Sequence, residues 1–265
     1  MTGTQYLFGT AGWSYKDWED TVYPVPREPF FNPLLFLSRD FDFVEVNTTF
    51  YRIPSLKLTN GWVSKTESLP HFSFWIKIYQ HFTHKREWAE NDMRDFFNSC
   101  QPLIQSKKLA GFLAQFPYSF KLSTDNFDYL MNLQSYFQPH AFAVEFRHNS
   151  WNREETMDAF KQNRMIWANI DQPVISQSLP LTWKLTHPEI SYFRLHGRNY
   201  QSWFSNQGRD ARYNYSYSTQ ELTQIAEKIK KLKKLARTIF VSGNNHYKGQ
   251  AVRNLKELKN ILKEK

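Results

Sequence analysis

Ala141-Phe142-Ala143-Val144-Glu145-Phe146-Arg147 is a short apolar run that turns charged at its end. Its length and its β-branched and aromatic content suit a buried strand. Side chains alternate across a strand, so if Val144 and Phe146 pack on helices, Glu145 and Arg147 point the other way. Runs of the same form are Tyr6–Trp13, Phe43–Phe50, Phe72–Tyr79, Leu109–Phe116, Ile166–Asp171, Ile190–Gly197 and Thr238–Asn245. They recur at roughly thirty-residue intervals, the length of a strand-plus-crossover unit. Helical or helix-plus-loop sequence fills most of the gaps. Eight such units in 265 residues predict an α/β chain folded as a single (β/α)8 TIM barrel over residues 1–265.

Alternation also assigns the barrel interior. The apolar residues of each run belong against the helices, which turns Glu45 and Asn47, Lys77, Gln115, Glu145 and Arg147, Asn169 and Asp171, Arg194 and His196, and Ser242 and Asn244 inward. These late polar residues sit at strand ends, where barrel active sites lie. Three carboxylates (Glu45, Glu145, Asp171) and three cations (Lys77, Arg147, Arg194) could neutralise one another as a plug. Charge is a poor barrel filler, because each buried ion must first be desolvated, so a working site is expected.

Local signals mark the helices. Asn32-Pro33 opens one over Leu34–Arg39. Ser123, Thr124 and Asp125 are cap candidates before Phe127–Phe137. Ser150, with Glu154 and Glu155 in the first turn, caps the helix before strand six. Ser218-Thr219-Gln220-Glu221 is a capping box ahead of a helix to Ala236. Two connections stand apart. Gln172–Glu189 carries three prolines and little helical pattern, and Arg198–Tyr217 is long, aromatic and polar enough to act as a lid.

Glu145 and Glu45 are the expected acid–base pair, with His196 as a proton shuttle near neutral pH. Lys77, Arg147 and Arg194 orient an anion. Asn47, Gln115, Asp171 and Asn244 complete the expected contacts, with Trp13, Tyr51 and Tyr215 as rings that stack on a base or a sugar. An anion site is expected after strands seven and eight, where Gly197, Arg198, Gly243, Asn244, Asn245, Lys248 and Gly249 precede a helix over Gln250–Leu262. Trp203, Phe204 and Tyr213 add aromatic rim. Glu45, Glu145, Asp171 and His196 are metal ligands in type, but three cations in the same mouth oppose a cluster of divalent ions. No cofactor is expected, a single divalent ion being the alternative.

Several strings resemble the YecE-like family, a bacterial and archaeal domain of unknown function. They include Gly9-Thr10-Ala11-Gly12-Trp13-Ser14-Tyr15, Glu45-Val46-Asn47-Thr48-Thr49-Phe50-Tyr51-Arg52, Gln115-Phe116-Pro117, Ala143-Val144-Glu145-Phe146-Arg147-His148 and Arg194-Leu195-His196-Gly197-Arg198. The resemblance covers essentially the whole chain and implies a (β/α)8 barrel. It brings no established activity.

Composition bounds the rest. With 41% hydrophobic and 17% aromatic residues the chain can bury a large core. A net charge of +9 favours acidic partners. The lone Cys100 leaves no disulfide within the chain and excludes metal–thiolate clusters. The N-terminus lacks signal-peptide regions and no window approaches a membrane span, so a cytoplasmic setting is expected. The sequence reading is a hydrolase or lyase acting on a small anionic substrate that carries a sugar or base moiety. Its rivals are a nucleic-acid-binding protein resembling endonuclease IV and a small-ligand-binding module without turnover.

Overall fold

The computed structural model describes residues 3–203 and 210–263. Eight parallel strands close a barrel in sequence order: β1 (Gln5–Ala11), β2 (Phe43–Val46), β3 (Ser73–Lys77), β4 (Leu109–Gln115), β5 (Phe142–Glu145), β6 (Ile166–Asp171), β7 (Ile190–Leu195) and β8 (Thr238–Gly243). The helices outside it are α1 (Pro33–Leu37), α2 (Leu56–Lys65), α3 (Glu90–Gln105), α4 (Thr124–Ser135), α5 (Glu154–Gln162), α6 (Thr219–Lys230) and α7 (Gln250–Lys263). This is the expected (β/α)8 TIM barrel. None of the described helices is long and apolar enough to cross a membrane.

The caps follow side-chain chemistry. Asn32 accepts from the Leu34 amide, Ser123 from Asn126, and Ser218 from Glu221 while Glu221 reaches back in a capping box. Two expectations need correction. Helix α6 stops at Lys230, and turns carry the chain on to β8. Ser150 does not cap α5. Its hydroxyl accepts the Leu122 amide at 2.9 Å, and Arg153 holds the N-cap position without a side-chain bond.

Aromatic rings fill the lower barrel. Trp75 and Tyr192 lie 4.4 Å apart across the interior, with Phe43 and Phe240 beside them. The indole of Trp75 takes the space a side chain at 111 would need: a Cβ on Gly111 would meet it at 2.6 Å. Tyr192 donates its phenol proton to Glu45 at 2.7 Å, which joins this ring layer to the charged layer above.

Strand β6 overturns one inward assignment. Paired residues of neighbouring parallel strands face the same side. Ile170 pairs with inward Arg194, and Asp171 pairs with outward Leu195. Asn169 and Asp171 therefore face away from the interior, which Ala168 and Ile170 line. For Asp171 the outer partners are Arg198 and Tyr217 from the loop after β7; for Asn169 the cause is the connection that follows β6, where residues 172–189 carry no helix. Extended chain against a strand brings backbone polar groups that need partners. Asn169 Oδ1 accepts from the Lys184 amide and the Thr182 hydroxyl, both at 2.7 Å, and its Nδ2 donates to the Lys184 carbonyl. Trp167 Nε1 donates to Thr182 as well. Polar groups on the outer face stand in for the packing a helix would supply.

Candidate active site

The charged layer above the rings is built by β2, β5 and β7. Arg194 donates Nε to Glu45 Oε2 at 2.8 Å and Nη2 to Glu45 Oε1 at 2.5 Å, and its Nη1 donates to Glu145. Arg147 pairs with the other Glu145 oxygen at 2.6 Å and donates to Gln172. Asn244 Nδ2 donates to His196 Nδ1 at 2.8 Å, which leaves the ring proton on Nε2, 3.3 Å from Glu145. Glu45, Glu145 and His196 have no solvent exposure.

These contacts set the protonation states. Burial pushes the Glu145 carboxyl up, but Arg147, Arg194 and His196 outweigh it and hold the group well below the usual carboxylate range. Burial and Arg147 push His196 down to about 3, so its imidazole is neutral. Glu145 is therefore a weak base and His196 a poor proton shuttle. The two carboxylates form a floor that fixes two arginines.

Above the floor the barrel mouth opens into two adjoining clefts. One, of about 180 Å³, is lined by Tyr15, Asn47, Thr48, Tyr51, Lys77, Arg147, Arg194, Tyr213, Asn244 and His246. The other, of about 270 Å³, shares Arg147 and Tyr213 and adds His84, Gln115, Tyr118, Gln172, Ser178, Trp203 and Arg212. Among the described residues no aspartate or glutamate lines either cleft. Among the described residues no three His, Cys, Asp or Glu side chains are arranged to hold a metal ion.

Lys77 is the exception in this mouth. Its ammonium nitrogen has no carboxylate partner among the described residues. It donates to Gln115 Oε1 at 2.8 Å and lies 4.0 Å from the centre of the Phe50 ring. Burial, with Arg194 and Arg147 adding to it, lowers Lys77 to about 7 against the pull of Glu145 and Glu45. A π-helical turn shortly after β3, His81–Lys85, carries His84 back over the larger, adjoining cleft. Burial and the cations Lys77 and Arg147 push His84 down to about 4.

The whole chain has relatives. The family described as "Protein of unknown function DUF72" matches residues 7–265. The chain belongs to the DUF72 family. This DUF72 chain is 32% identical to the UPF0759 protein YunF of Bacillus subtilis over 96% of its own length and 93% of that protein. It is also similar to the crystal structure of a DUF72 family protein from Thermotoga maritima, with a TM-score of 0.85 and 35% identity over 98% of this chain and 100% of that one. A DUF72 family protein from Enterococcus faecalis gives a TM-score of 0.86 at 27% identity, over 98% of this chain and 96% of that one.

Of the residues singled out in this DUF72 sequence, Asn47, Tyr51, Lys77, Gln115, Arg147, Arg194 and Asn244 line the clefts. Trp13 instead packs edge-on against Trp62 and Phe74. Arg198 clamps outward-facing Asp171 through Nε and Nη2 and reaches Glu221, which Tyr215 also bonds. Asn245 donates to the Tyr215 carbonyl and Asn254. Trp13, Asp171, Arg198, Tyr215 and Asn245 thus brace the loops around the mouth and line neither cleft.

The expected anion cradle at the start of α7 is already occupied. The Lys248 amide donates to the Asp17 carboxylate at 2.7 Å, and the Ala251 amide donates to the Asn245 carbonyl. A Cβ on Gly243 would meet Leu255 of α7 at 2.9 Å, and Gly197, at φ +87°, lies against Tyr215. Both glycines serve packing and turning. Of the expected lid, Trp203, Arg212 and Tyr213 border the clefts, while Phe204 lies outside the described residues. Sequence reasoning missed Thr48, Tyr118, Gln172, Ser178 and Arg212. Only Arg212 carried a usable signal, as a cation inside the aromatic loop after β7.

Proposed function

We propose that this chain is an enzyme of hydrolase or lyase type that binds a small phosphate- or carboxylate-bearing substrate in the barrel mouth. One observation carries the reading: Lys77, Arg147, Arg194 and Arg212 border clefts that no acid among the described residues lines. Glu45 and Glu145, the acids that pair with Arg147 and Arg194, are spent on the floor, so positive charge from Lys77 and Arg212 is left over where a ligand would sit. Asn47 Oδ1 is buried without a hydrogen-bond partner beside Lys77 and suits a substrate hydroxyl. Trp203, Tyr213 and Tyr118 offer ring faces to a sugar or base.

Among the described residues the clefts hold no carboxylate to activate water, and His84 is a weak base at about 4. Lys77 is the lining group poised to exchange a proton near neutral pH. That weighs toward a lyase within this reading. Thermal unfolding with sulfate, phosphate and small carboxylates tests anion binding. Saturable stabilisation that Arg147→Ala weakens is expected, and no response to any of these anions in the intact protein overturns the reading.

A further inference from the structure

We propose that Lys77 is an imine-forming amine and that the substrate is an aldehyde or ketone carrying a carboxylate or phosphate group. This deepens the proposed function and rests on its anion-binding reading. The geometry is specific to Lys77. The residue ends β3 on the inward side, its nitrogen opens onto the smaller cleft, and it is held by a neutral amide oxygen and a ring face. The groups that face it are Glu45 from β2, Gln115 from β4, Glu145 and Arg147 from the end of β5, Arg194 from β7 and His84 from the turn after β3. Both of those glutamates are already bonded by arginine. A largely buried amine beside fixed cations, with no carboxylate partner among the described residues, favours its neutral and nucleophilic form. Lysine rather than arginine suits that task, since a guanidinium stays charged.

The cations that add to burial in lowering Lys77 also draw an anionic partner to it. With the acid group on Arg147, the carbonyl carbon can reach Nζ. The nitrogen lone pair adds to that carbon and the carbonyl oxygen takes up a proton, giving a carbinolamine. A second proton reaches the oxygen, the C–O bond breaks, and water leaves as the C=N bond forms. One nitrogen proton is released to the oxygen and one comes from solvent, so the product is a protonated imine and water. Tyr51, Asn47 and Asn244 line the same cleft and can hold the departing water.

The test uses the intact protein near neutral pH with glyoxylate as the probe and cyanoborohydride as reductant, followed by peptide mapping. Hydride adds to the imine carbon and leaves a carboxymethyl group on the modified lysine. A nitrogen that titrates at about 7 instead of 10.5 has a free-amine fraction on the order of a thousandfold above an ordinary lysine. Lys77 is therefore expected to label on the order of a hundredfold faster than the other lysines, and Lys77→Arg to lose that label. Mapping within the intact chain keeps the test decisive even if the variant fails to fold. Labelling of Lys77 no faster than the others overturns the imine, whether or not sulfate still stabilises the protein. Selective labelling at equal rates by glyoxylate and neutral acetaldehyde overturns the assigned substrate class. Stabilisation by sulfate reports on the anion reading separately.

Discussion

Arg194 grips Glu45 through two parallel hydrogen bonds, Nε to Oε2 at 2.8 Å and Nη2 to Oε1 at 2.5 Å, with 1% and no side-chain exposure respectively. The planar guanidinium matches the carboxylate plane, which a lysine cannot do. Its remaining edge holds Glu145, so one arginine from β7 ties β2 to β5 across the barrel. The charge pairs that fill the interior are thus also the frame on which Arg147 and Lys77 are presented.

Glu45→Gln should lower unfolding stability by about 3–5 kcal/mol, because it leaves Arg194 buried with half of its charge uncompensated. Tyr192 would lose a charged acceptor in the same variant. Urea unfolding measures the change. A loss near zero would mean that the floor is not built as an ion pair.

Acid should destabilise the fold through His196. The unfolded histidine takes a proton near 6.5, while the folded one waits until about 3. Between those values the unfolded state binds the extra proton, so stability is full above the upper limit and falls as pH drops toward the lower one. Glu145, also held below its usual range, adds a loss in the same direction at more acid pH. Melting temperature against pH checks this, and His196→Asn should flatten the slope over that window. An unchanged slope in the variant would assign the acid sensitivity elsewhere.

Sulfate affinity should be highest when Lys77 is an ammonium. It should fall as pH rises through about 7, on the order of tenfold once the charge is gone. Isothermal titration across that range reads it, and Lys77→Arg should remove the dependence. Affinity that rises with pH would contradict the placement of Lys77 beside the bound anion.

Asn169→Ala should cost about 1–3 kcal/mol by stranding the Lys184 backbone groups and the Thr182 hydroxyl. The effect should concentrate in residues 172–189, which would become more sensitive to limited proteolysis. Unaltered cleavage there would show that Asn169 does not anchor the connection.

The amino-acid sequence alone determined the barrel and most of its interior. The alternation of Val44 with Glu45 or Val144 with Glu145 needs no partner to be read, because strand geometry sends neighbours to opposite faces and apolar residues must meet the helices. The same rule failed at Asn169, whose outer neighbour is an extended segment and not a helix, and at Asp171, which meets Arg198 and Tyr217 of the loop after β7. Which side of β6 is polar depends on what packs against it, and that is tertiary. The sequence likewise marked Glu45, Glu145, Lys77, Arg147 and Arg194 as one charged set without saying who pairs with whom. Only the closed barrel decided that Arg194 lies between the two glutamates, since β2, β5 and β7 are distant in the chain and meet across the interior. That pairing turned the expected acid–base carboxylates into a floor and left Lys77 without a carboxylate partner among the described residues. Tertiary proximity likewise decided the anion cradle at α7: Asp17, more than two hundred residues earlier in the chain, takes the Lys248 amide. Charge type and strand parity are local properties, whereas charge neutralisation depends on distance in space.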